Sequence, residues 1–142
     1  MTPTVFIDTN VVIDLLAKRE PFWHSSASIF DLAEREKITA FISPLTLVTV
    51  YYVLRNYYKL PHSGIIQQFD VLCSYISLAS TSEQHILAAI QSAFTDFEDA
   101  VLYESAKGIP ALSDIVTRNP KHFLVSEIAI ATPDEFLTKY SF

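Results

Sequence analysis

Three aspartates of this chain have the residue type and spacing of a site for a hard divalent cation: Asp8, Asp96 and Asp99. Asp8 ends an apolar run and precedes Thr9 and Asn10, after which a second apolar segment begins. A helix would place Asp96 and Asp99 on one face, because they are three residues apart. Carboxylates without histidine or cysteine partners favour Mg²⁺ or Mn²⁺. Such ions activate water and neutralise charge on a phosphodiester.

Each of these acids also has a structural interpretation. An aspartate that follows a strand often caps the next helix, and this alternative stays open for Asp8. Acids in a first helical turn complement the helix dipole, and a capping box between Thr95 and Glu98 gives Glu98 a sufficient role, so we expect it to point away from Asp96 and Asp99. For Asp99 we favour a ligand, because the helix turns apolar directly after it and a carboxylate near the core needs a partner such as a cation.

A second polar cluster follows the brief predicted strand Ile115–Thr117 and continues with Arg118 and Asn119. In a parallel sheet this cluster would lie at the same edge as Asp8, where open α/β sheets bind ligands. Asp114 precedes the strand, so we expect it at the opposite edge. Arg118 has two interpretations, a contact to phosphate or a solvated loop cation.

Strands that alternate with helices must position these residues. Strands are predicted at Thr4–Ile7, Ile38–Ile42, Tyr75–Leu78, Ile115–Thr117 and Ile128–Ile130. Helices are predicted over Asn10–Ala17, His24–Arg35, Pro44–Tyr58, Pro61–Leu72, Ser82–Ala93 and Thr95–Gly108, and from Pro133 onward. The helix that starts at Pro44, with Ser43 as its cap, is apolar on most faces and is expected to be central. The alternation predicts an α/β sandwich, a parallel sheet with helices on both faces and right-handed crossovers.

Composition excludes several classes of protein. The 142 residues fit one domain, residues 1–142, and a hydrophobic share of 50% against 18% charged residues indicates a globular chain. Gly64 and Gly108 cannot form a glycine-rich phosphate loop, which disfavours dinucleotide and P-loop chemistry. Cys73, the single cysteine, excludes an internal disulfide and a cysteine-based zinc site, and it is expected in the core. The histidines lack metal-ligand spacing and are expected at the surface, with His122 left open: His24, His62, His85 and His122.

The charge and hydropathy patterns bear on partners and location. A net charge of −6 repels a polyanion unless bound cations or a local basic rim reverse the field. No signal peptide is visible. The uncharged run Ile38–Leu54 is shorter than a membrane-spanning helix and is split by Ser43-Pro44. We therefore expect a cytoplasmic protein without membrane contact.

Three segments, in order, resemble the PIN domain family, and the resemblance covers essentially the whole chain. They are Phe6-Ile7-Asp8-Thr9-Asn10-Val11, Asp96-Phe97-Glu98-Asp99-Ala100, and Ile115-Val116-Thr117-Arg118-Asn119 with Phe123. The resemblance implies a compact α/β fold and, from the active members, a ribonuclease that depends on Mg²⁺ or Mn²⁺. Many members are toxins of type II toxin–antitoxin pairs, so the implied partners are RNA, a cognate antitoxin and a second copy in a homodimer.

The resemblance also implies roles for individual residues. Asp8 matches the first metal-binding acid of the family, Asp99 matches the acid at the start of the helix before the last motif, and Asp96 is an accessory acid. The implied catalytic and metal-binding residues are therefore Asp8, Asp96 and Asp99. Residues implied to support these ligands or to orient the substrate are Asn10, Thr49, Thr117, Arg118 and Asn119, with Arg118 as a contact to phosphate.

Two positions depart from the family pattern. Thr49 stands where family members usually have a glutamate, and Asn119 stands where many have a fourth acid. Fewer carboxylates should lower metal affinity, so the alternative to a ribonuclease is a PIN-fold binding module that no longer cleaves. A phosphatase or nucleotide-binding α/β protein is disfavoured, because the chain lacks a glycine-rich phosphate loop.

Overall fold

Five parallel strands form one sheet in this computed structural model, which describes residues 2–140. The strands are β1 (Thr4–Ile7), β2 (Thr39–Ile42), β3 (Ser77–Leu78), β4 (Leu112–Val116) and β5 (Ala129–Ala131). Their order across the sheet is β3-β2-β1-β4-β5, with every neighbouring pair parallel. The chain builds outward from β1 to one side through β2 and later to the other side through β4. The switch point between β1 and β4 is where open α/β sheets bind ligands.

Seven α-helices lie within residues 2–140. They are α1 (Thr9–Leu16), α2 (Trp23–Glu34), α3 (Pro44–Tyr52), α4 (His62–Cys73), α5 (Glu83–Ile90), α6 (Phe97–Lys107) and α7 (Pro133–Tyr140). A π-helical turn, Val53–Tyr57, extends α3, and a 3₁₀ turn, Pro120–Phe123, follows β4. The predicted α/β fold with a parallel sheet is confirmed, and most predicted bounds lie close to the observed ones. No helix in the described residues is long and apolar enough to cross a membrane.

The core occupies both faces of the sheet, because side chains alternate between the faces along β1. Val5 and Ile7 pack on one face with residues of α1 to α4 and α7, whereas Phe6 packs on the other face with α6. All three side chains are fully buried, as expected for a central strand covered by helices on both sides. Such a strand fixes the position of the residue that follows it, Asp8.

Two predictions about burial are wrong. The helix α3 is not central: Thr46 and Val50 are buried, but Val48 and Tyr52 are 56% and 59% exposed. The apolar composition of α3 indicates that its surface favours burial, but it does not indicate whether other elements of the same chain bury it. Cys73 is exposed rather than part of the core, since it is the last residue of α4 and lies beyond the buried Leu72.

The strand β4 begins earlier than predicted, which places Asp114 inside the strand rather than before it. The Asp114 side chain is fully buried and accepts hydrogen bonds from Lys139 Nζ, at 2.7 Å, and from the Tyr140 hydroxyl. Asp114 pairs in register with Val5, so it lies in the middle of β4 and connects the sheet to α7, and the expectation that it lies at the opposite edge is wrong. The ion pair explains its burial without a role in binding.

Candidate active site

The register of the sheet brings the polar segment that follows β1 next to the polar segment that follows β4. Ile7 pairs with Val116, so Asp8 and Thr117 leave the sheet side by side at its carboxyl edge. The Thr117 hydroxyl donates to Asp8 Oδ2 at 2.7 Å, and the Thr9 amide donates to Asp8 Oδ1 at 2.8 Å. Asp8 therefore caps α1 and also faces the end of β4, so the two interpretations of this residue do not exclude each other.

Asn10 connects this pair to the loop after β4. Its Nδ2 lies 3.3 Å from Asp8 Oδ2 and 3.4 Å from Thr117 Oγ1, while its Oδ1 accepts from the Arg118 amide at 3.2 Å. The Asn119 amide donates to Thr117 Oγ1 at 3.1 Å. Together with the Thr9 amide and the Thr117 hydroxyl, Asn10 Nδ2 gives the Asp8 carboxylate three hydrogen-bond donors, and these fix its orientation.

The start of α6 supplies the other acids, in an arrangement that differs from the prediction. Asp96, not Thr95, caps the helix, and its Oδ1 accepts from the Asp99 amide at 3.0 Å. With the cap at Asp96, Glu98 is one residue short of the position that closes a capping box. Glu98 instead accepts a hydrogen bond from the Thr49 hydroxyl at 3.0 Å, so the expectation that it points away from the site is wrong.

These residues surround a cleft of about 350 Å³. Its lining consists of Asp8, Thr9, Asn10, Ile13, Arg19, Thr49, Asp96, Glu98, Asp99, Arg118, Asn119 and His122. Every site residue predicted from the sequence lines the cleft except Thr117, which is fully buried and hydrogen-bonded to Asp8. Sequence reasoning missed Arg19 altogether and misassigned Glu98, and it left His122 open. No local pattern marks Arg19, whereas Glu98 could have been found by shifting the cap by one residue.

Burial and like charge dominate the electrostatics of the acids. Burial raises the pKa of Asp8, against the hydrogen bonds from Thr117 and Thr9 that lower it. The pKa of Asp99 rises to about 6, chiefly through burial and then through the negative charges of Asp8 and Asp96, while His122 opposes the shift. His122 Nδ1 lies 3.5 Å from Asp99 Oδ2. Carboxylates that raise one another's pKa attract a cation to the space between them.

Two arginines provide a basic rim on one side of the cleft. Asp14 is fully buried and holds both guanidiniums through their Nε atoms, Arg19 at 2.7 Å and Arg118 at 2.5 Å. The Arg118 side chain is only 24% exposed, and its guanidinium lies 4.0 Å from the centre of the Phe22 ring. The interpretation of Arg118 as a solvated loop cation is therefore wrong.

The oxygen-rich lining fits a hydrated hard cation better than a closed metal cage. Among residues 2–140, no group of three or more histidine, cysteine, aspartate or glutamate side chains is close enough to hold an ion by itself. Mg²⁺ keeps several of its waters and commonly binds one or two carboxylates together with substrate phosphates. The hydrogen bonds to Asp8 described above come from neutral donors, which leaves its negative charge available to such an ion.

Comparison with known proteins decides the family. The sequence model of the PIN domain matches residues 4–121, a range that contains every acid of the cleft and the segment Thr117 to Asn119. The chain belongs to the PIN domain family. The earlier resemblance is thereby confirmed for most of the length of the chain.

Individual relatives of this PIN domain agree in length and fold. Ribonuclease VapC1 of Aquifex aeolicus (strain VF5) is 24% identical over 139 residues, which cover 96% of this chain and 95% of that protein. A solved structure of FitAB bound to the IR36 DNA fragment has a TM-score of 0.67 at 16% identity, with 91% and 94% of the two chains covered. A toxin–antitoxin complex from Klebsiella pneumoniae has a TM-score of 0.64 at 22% identity, with 91% and 97% covered.

Proposed function

We propose that this PIN domain is a metal-dependent endoribonuclease that hydrolyses RNA phosphodiesters and serves as the cytoplasmic toxin of a toxin–antitoxin pair. The observation that carries the proposal is the cleft at the carboxyl ends of β1 and β4, where Asp8 and Asp99 share one space with Asp96 and Glu98. The printed name of the relative from Aquifex aeolicus, a ribonuclease, supports the reaction. The fold shared with a toxin–antitoxin complex supports the biological role.

Asp8 and Asp99 would hold Mg²⁺ or Mn²⁺, and Asp96 would add a ligand or orient a water. When bound, the ion supplies an activated water and neutralises charge on the phosphodiester. The hydrogen bonds from Thr9, Thr117 and Asn10 keep the Asp8 carboxylate in one orientation. A fixed ligand loses less conformational entropy when the substrate binds.

Glu98 would compensate for the missing acid at position 49. The hydrogen bond from the Thr49 hydroxyl to Glu98 Oε2 shows that a carboxylate from α6 occupies the space beside this position of α3. The number of negative charges in the cleft is then maintained from a different helix. Asn119 carries no charge. The hydrogen bond from its backbone amide to Thr117 Oγ1 gives it a role in shaping the loop.

Arg118 and Arg19 would bind the phosphate groups of the RNA strand. Both guanidiniums are held by Asp14 through Nε and both line the cleft. Guanidiniums bind phosphate through paired hydrogen bonds, and these two face the space occupied by the acids. They provide the local basic rim that a polyanion needs on a chain with a net charge of −6.

The proposed protein partners are a cognate antitoxin and a second copy of the chain. Apolar side chains on two helices support this proposal: Val48 and Tyr52 on α3 and Leu87 and Ile90 on α5 are between 54% and 59% exposed. Large exposed apolar surfaces commonly mark protein interfaces. A monomer at micromolar concentration in light scattering would contradict the homodimer.

The reaction is tested by cleavage of single-stranded RNA in the presence of Mn²⁺. We expect Asp8→Asn to lose activity and Asp31→Asn to retain it, because Asp31 is an exposed acid on α2 whose partner is Arg35. Equal activity of the wild type and Asp8→Asn would overturn the assignment.

The alternative function is a PIN-fold binding module that does not cleave. The observations that favour it are the uncharged Thr49 and Asn119, at positions where family members carry acids, and the net charge of −6. Calorimetric titration with Mn²⁺ separates the two. Binding that Asp99→Asn abolishes favours the enzyme, and the lack of binding to the wild type favours the module.

A further inference from the structure

A second cavity adjoins the candidate active site through Arg118, which lines both spaces. This cavity, of about 460 Å³, is here called the Phe22 pocket. Its lining consists of Pro21, Phe22, Ser25, Arg118, Thr132, Pro133 and Asp134. The loop before α2 and the start of α7 therefore form its walls. The volume is in the range of natural sites for small organic ligands.

We propose that the Phe22 pocket binds a nucleobase of single-stranded RNA, that of a nucleotide next to the phosphate at Arg118. The proposal rests on the proposed ribonuclease function and extends it to a site that reads the substrate. A strand whose phosphate contacts the Arg118 guanidinium has its neighbouring bases on either side of that contact. One side is the acidic cleft and the other is the Phe22 pocket.

One wall of the pocket has the chemistry of a stacking platform. Phe22 is 41% exposed and caps the start of α2. The Arg118 guanidinium lies over one face of this ring, 4.0 Å from its centre, and its bond to Asp14 holds it there. A base would stack on the outer face of one of these two groups. Aromatic rings and guanidinium planes are the surfaces on which proteins stack unpaired bases.

The start of α7 offers the pocket a hydrogen-bond acceptor, Asp134. The Ser25 hydroxyl donates to Asp134 Oδ1, which fixes this exposed carboxylate in the lining of the pocket. Among residues 2–140, no donor bonds Asp134 Oδ2. A carboxylate accepts hydrogen bonds from the exocyclic amino groups of cytosine, adenine and guanine, which project from the edge of the base, whereas the only donor on the edge of uracil is N3–H within the ring. The pocket should therefore prefer bases that carry an amino group.

The pocket itself is tested by NMR titration of the metal-free full chain with CMP, UMP and inorganic phosphate. We expect CMP to shift the amide signals of Ser25 and Thr132 at concentrations about tenfold lower than UMP requires, since one base contact is lost with UMP. Inorganic phosphate should shift Arg118 but not Ser25. Equal effects of CMP and UMP, or shifts at Arg118 alone, would overturn the proposal.

Three variants separate the two walls of the pocket. Phe22→Leu keeps apolar bulk without an aromatic face and should weaken CMP and UMP alike by about tenfold, as expected for a lost stacking contact. Asp134→Ala should remove the preference for CMP and leave UMP unchanged. Tyr57→Ala is the control, because Tyr57 is an aromatic residue 77% exposed and outside both cavities. If Phe22→Leu binds CMP as the wild type does, the stacking platform is excluded.

Cleavage kinetics connect the pocket to the reaction. In RNA oligonucleotides made abasic at one position at a time around the scissile phosphate, one position should lower kcat/KM about tenfold in the wild type and have no further effect in Phe22→Leu. Additive losses would contradict the assignment. If no RNA is cleaved, the proposed function fails while the titration still tests the pocket. If an acidic peptide shifts the amide signals of the pocket and nucleotides do not, the pocket binds a protein partner and the nucleobase proposal is wrong.

Discussion

Asp8 and Asp14 are both buried aspartates at or on α1, yet their surroundings are opposite. Asp14 has no exposed surface and is held between two arginines, at 2.7 and 2.5 Å. Asp8 is 5% exposed and receives hydrogen bonds from an amide, a side-chain amide and a hydroxyl, with further carboxylates in the same cleft. The protein therefore supplies a cation for one of these acids and leaves the other with neutral donors.

This difference separates a structural acid from a candidate ligand. A buried carboxylate that has its own arginine stabilises the fold through a charge pair. A buried carboxylate with only neutral donors keeps a negative charge in a low-dielectric site, which is unfavourable until a cation binds. The roles of Asp8 and Asp14 therefore follow from the groups that contact each carboxylate and not from their proximity in the sequence.

Asp8→Asn should produce the largest effect on activity. Loss of the anionic ligand should lower Mn²⁺-dependent RNA cleavage by about 100-fold or more, since a bound metal contributes several kcal/mol to such reactions. The same variant should stabilise the metal-free protein by about 1 kcal/mol, because a buried charge is removed while an asparagine still caps α1. Urea denaturation with and without Mn²⁺ measures this gain. A less stable metal-free variant would contradict the comparison.

Asp14→Asn should have the opposite profile in stability. We expect the free energy of unfolding to fall by about 2–3 kcal/mol, because two guanidiniums lose their shared anion but remain partly exposed to water. Asp31→Asn, which removes an exposed partner of Arg35, should change stability by less than about 1 kcal/mol. Equal losses in the two variants, measured by urea denaturation, would show that the burial of Asp14 does not matter.

The pH dependence of stability should distinguish the cleft from the arginine pair. The pKa of Asp99 is about 6 in the folded protein, above its ordinary value of 3.8, so folding favours the protonated form. Its stabilising contribution is complete below that ordinary value and is lost as the pH rises through about 6. The loss should be about 1–2 kcal/mol, less than full linkage predicts because water screens the partly exposed group.

Asp99→Asn should remove this slope, and the difference between wild-type and variant urea curves isolates it from other groups. Added Mg²⁺ should restore the stability of the wild type above pH 6 if the cleft binds the ion. If the pH dependence of the free energy of unfolding persists in Asp99→Asn, it arises from a group other than Asp99.

Thr49→Val should have the smallest effect. The variant removes the hydroxyl that donates to Glu98 Oε2 and keeps the shape of the side chain. We expect activity to fall about two- to fivefold and stability to change by less than about 1 kcal/mol, as for one exposed hydrogen bond. Unchanged kcat and KM would show that Glu98 does not depend on Thr49 for its position.

The fold could be predicted from the sequence because its signals are local. Ser43 caps α3, its hydroxyl accepting from the Leu45 amide at 3.0 Å, and Pro44 begins the helix. The apolar run before Asp8 identifies a buried strand in the same way. Burial of α3 and Cys73 could not be predicted, since it depends on which surfaces other elements cover.

The site was only partly predictable because its decisive contacts join distant residues. Asp8, Asp96 and Asp99 line one cleft, as their type and spacing predicted. The bond between Thr49 and Glu98, and the shared anion of Arg19 and Arg118, depend on packing between elements that no pattern in the sequence connects. The prediction for Glu98 assumed a cap at Thr95, whereas Asp96 is the cap and Glu98 bonds Thr49.

The pairing of β1 with β4 also sets the point in synthesis at which the cleft can be completed. Asp8 donates its amide to the Val116 carbonyl at 2.9 Å and accepts from the Thr117 hydroxyl, and Asp99 lies in the helix just before β4. A chain still being synthesised has the first acid early and the remaining parts of the cleft late. The cleft therefore stays incomplete on the ribosome until Thr117 has emerged.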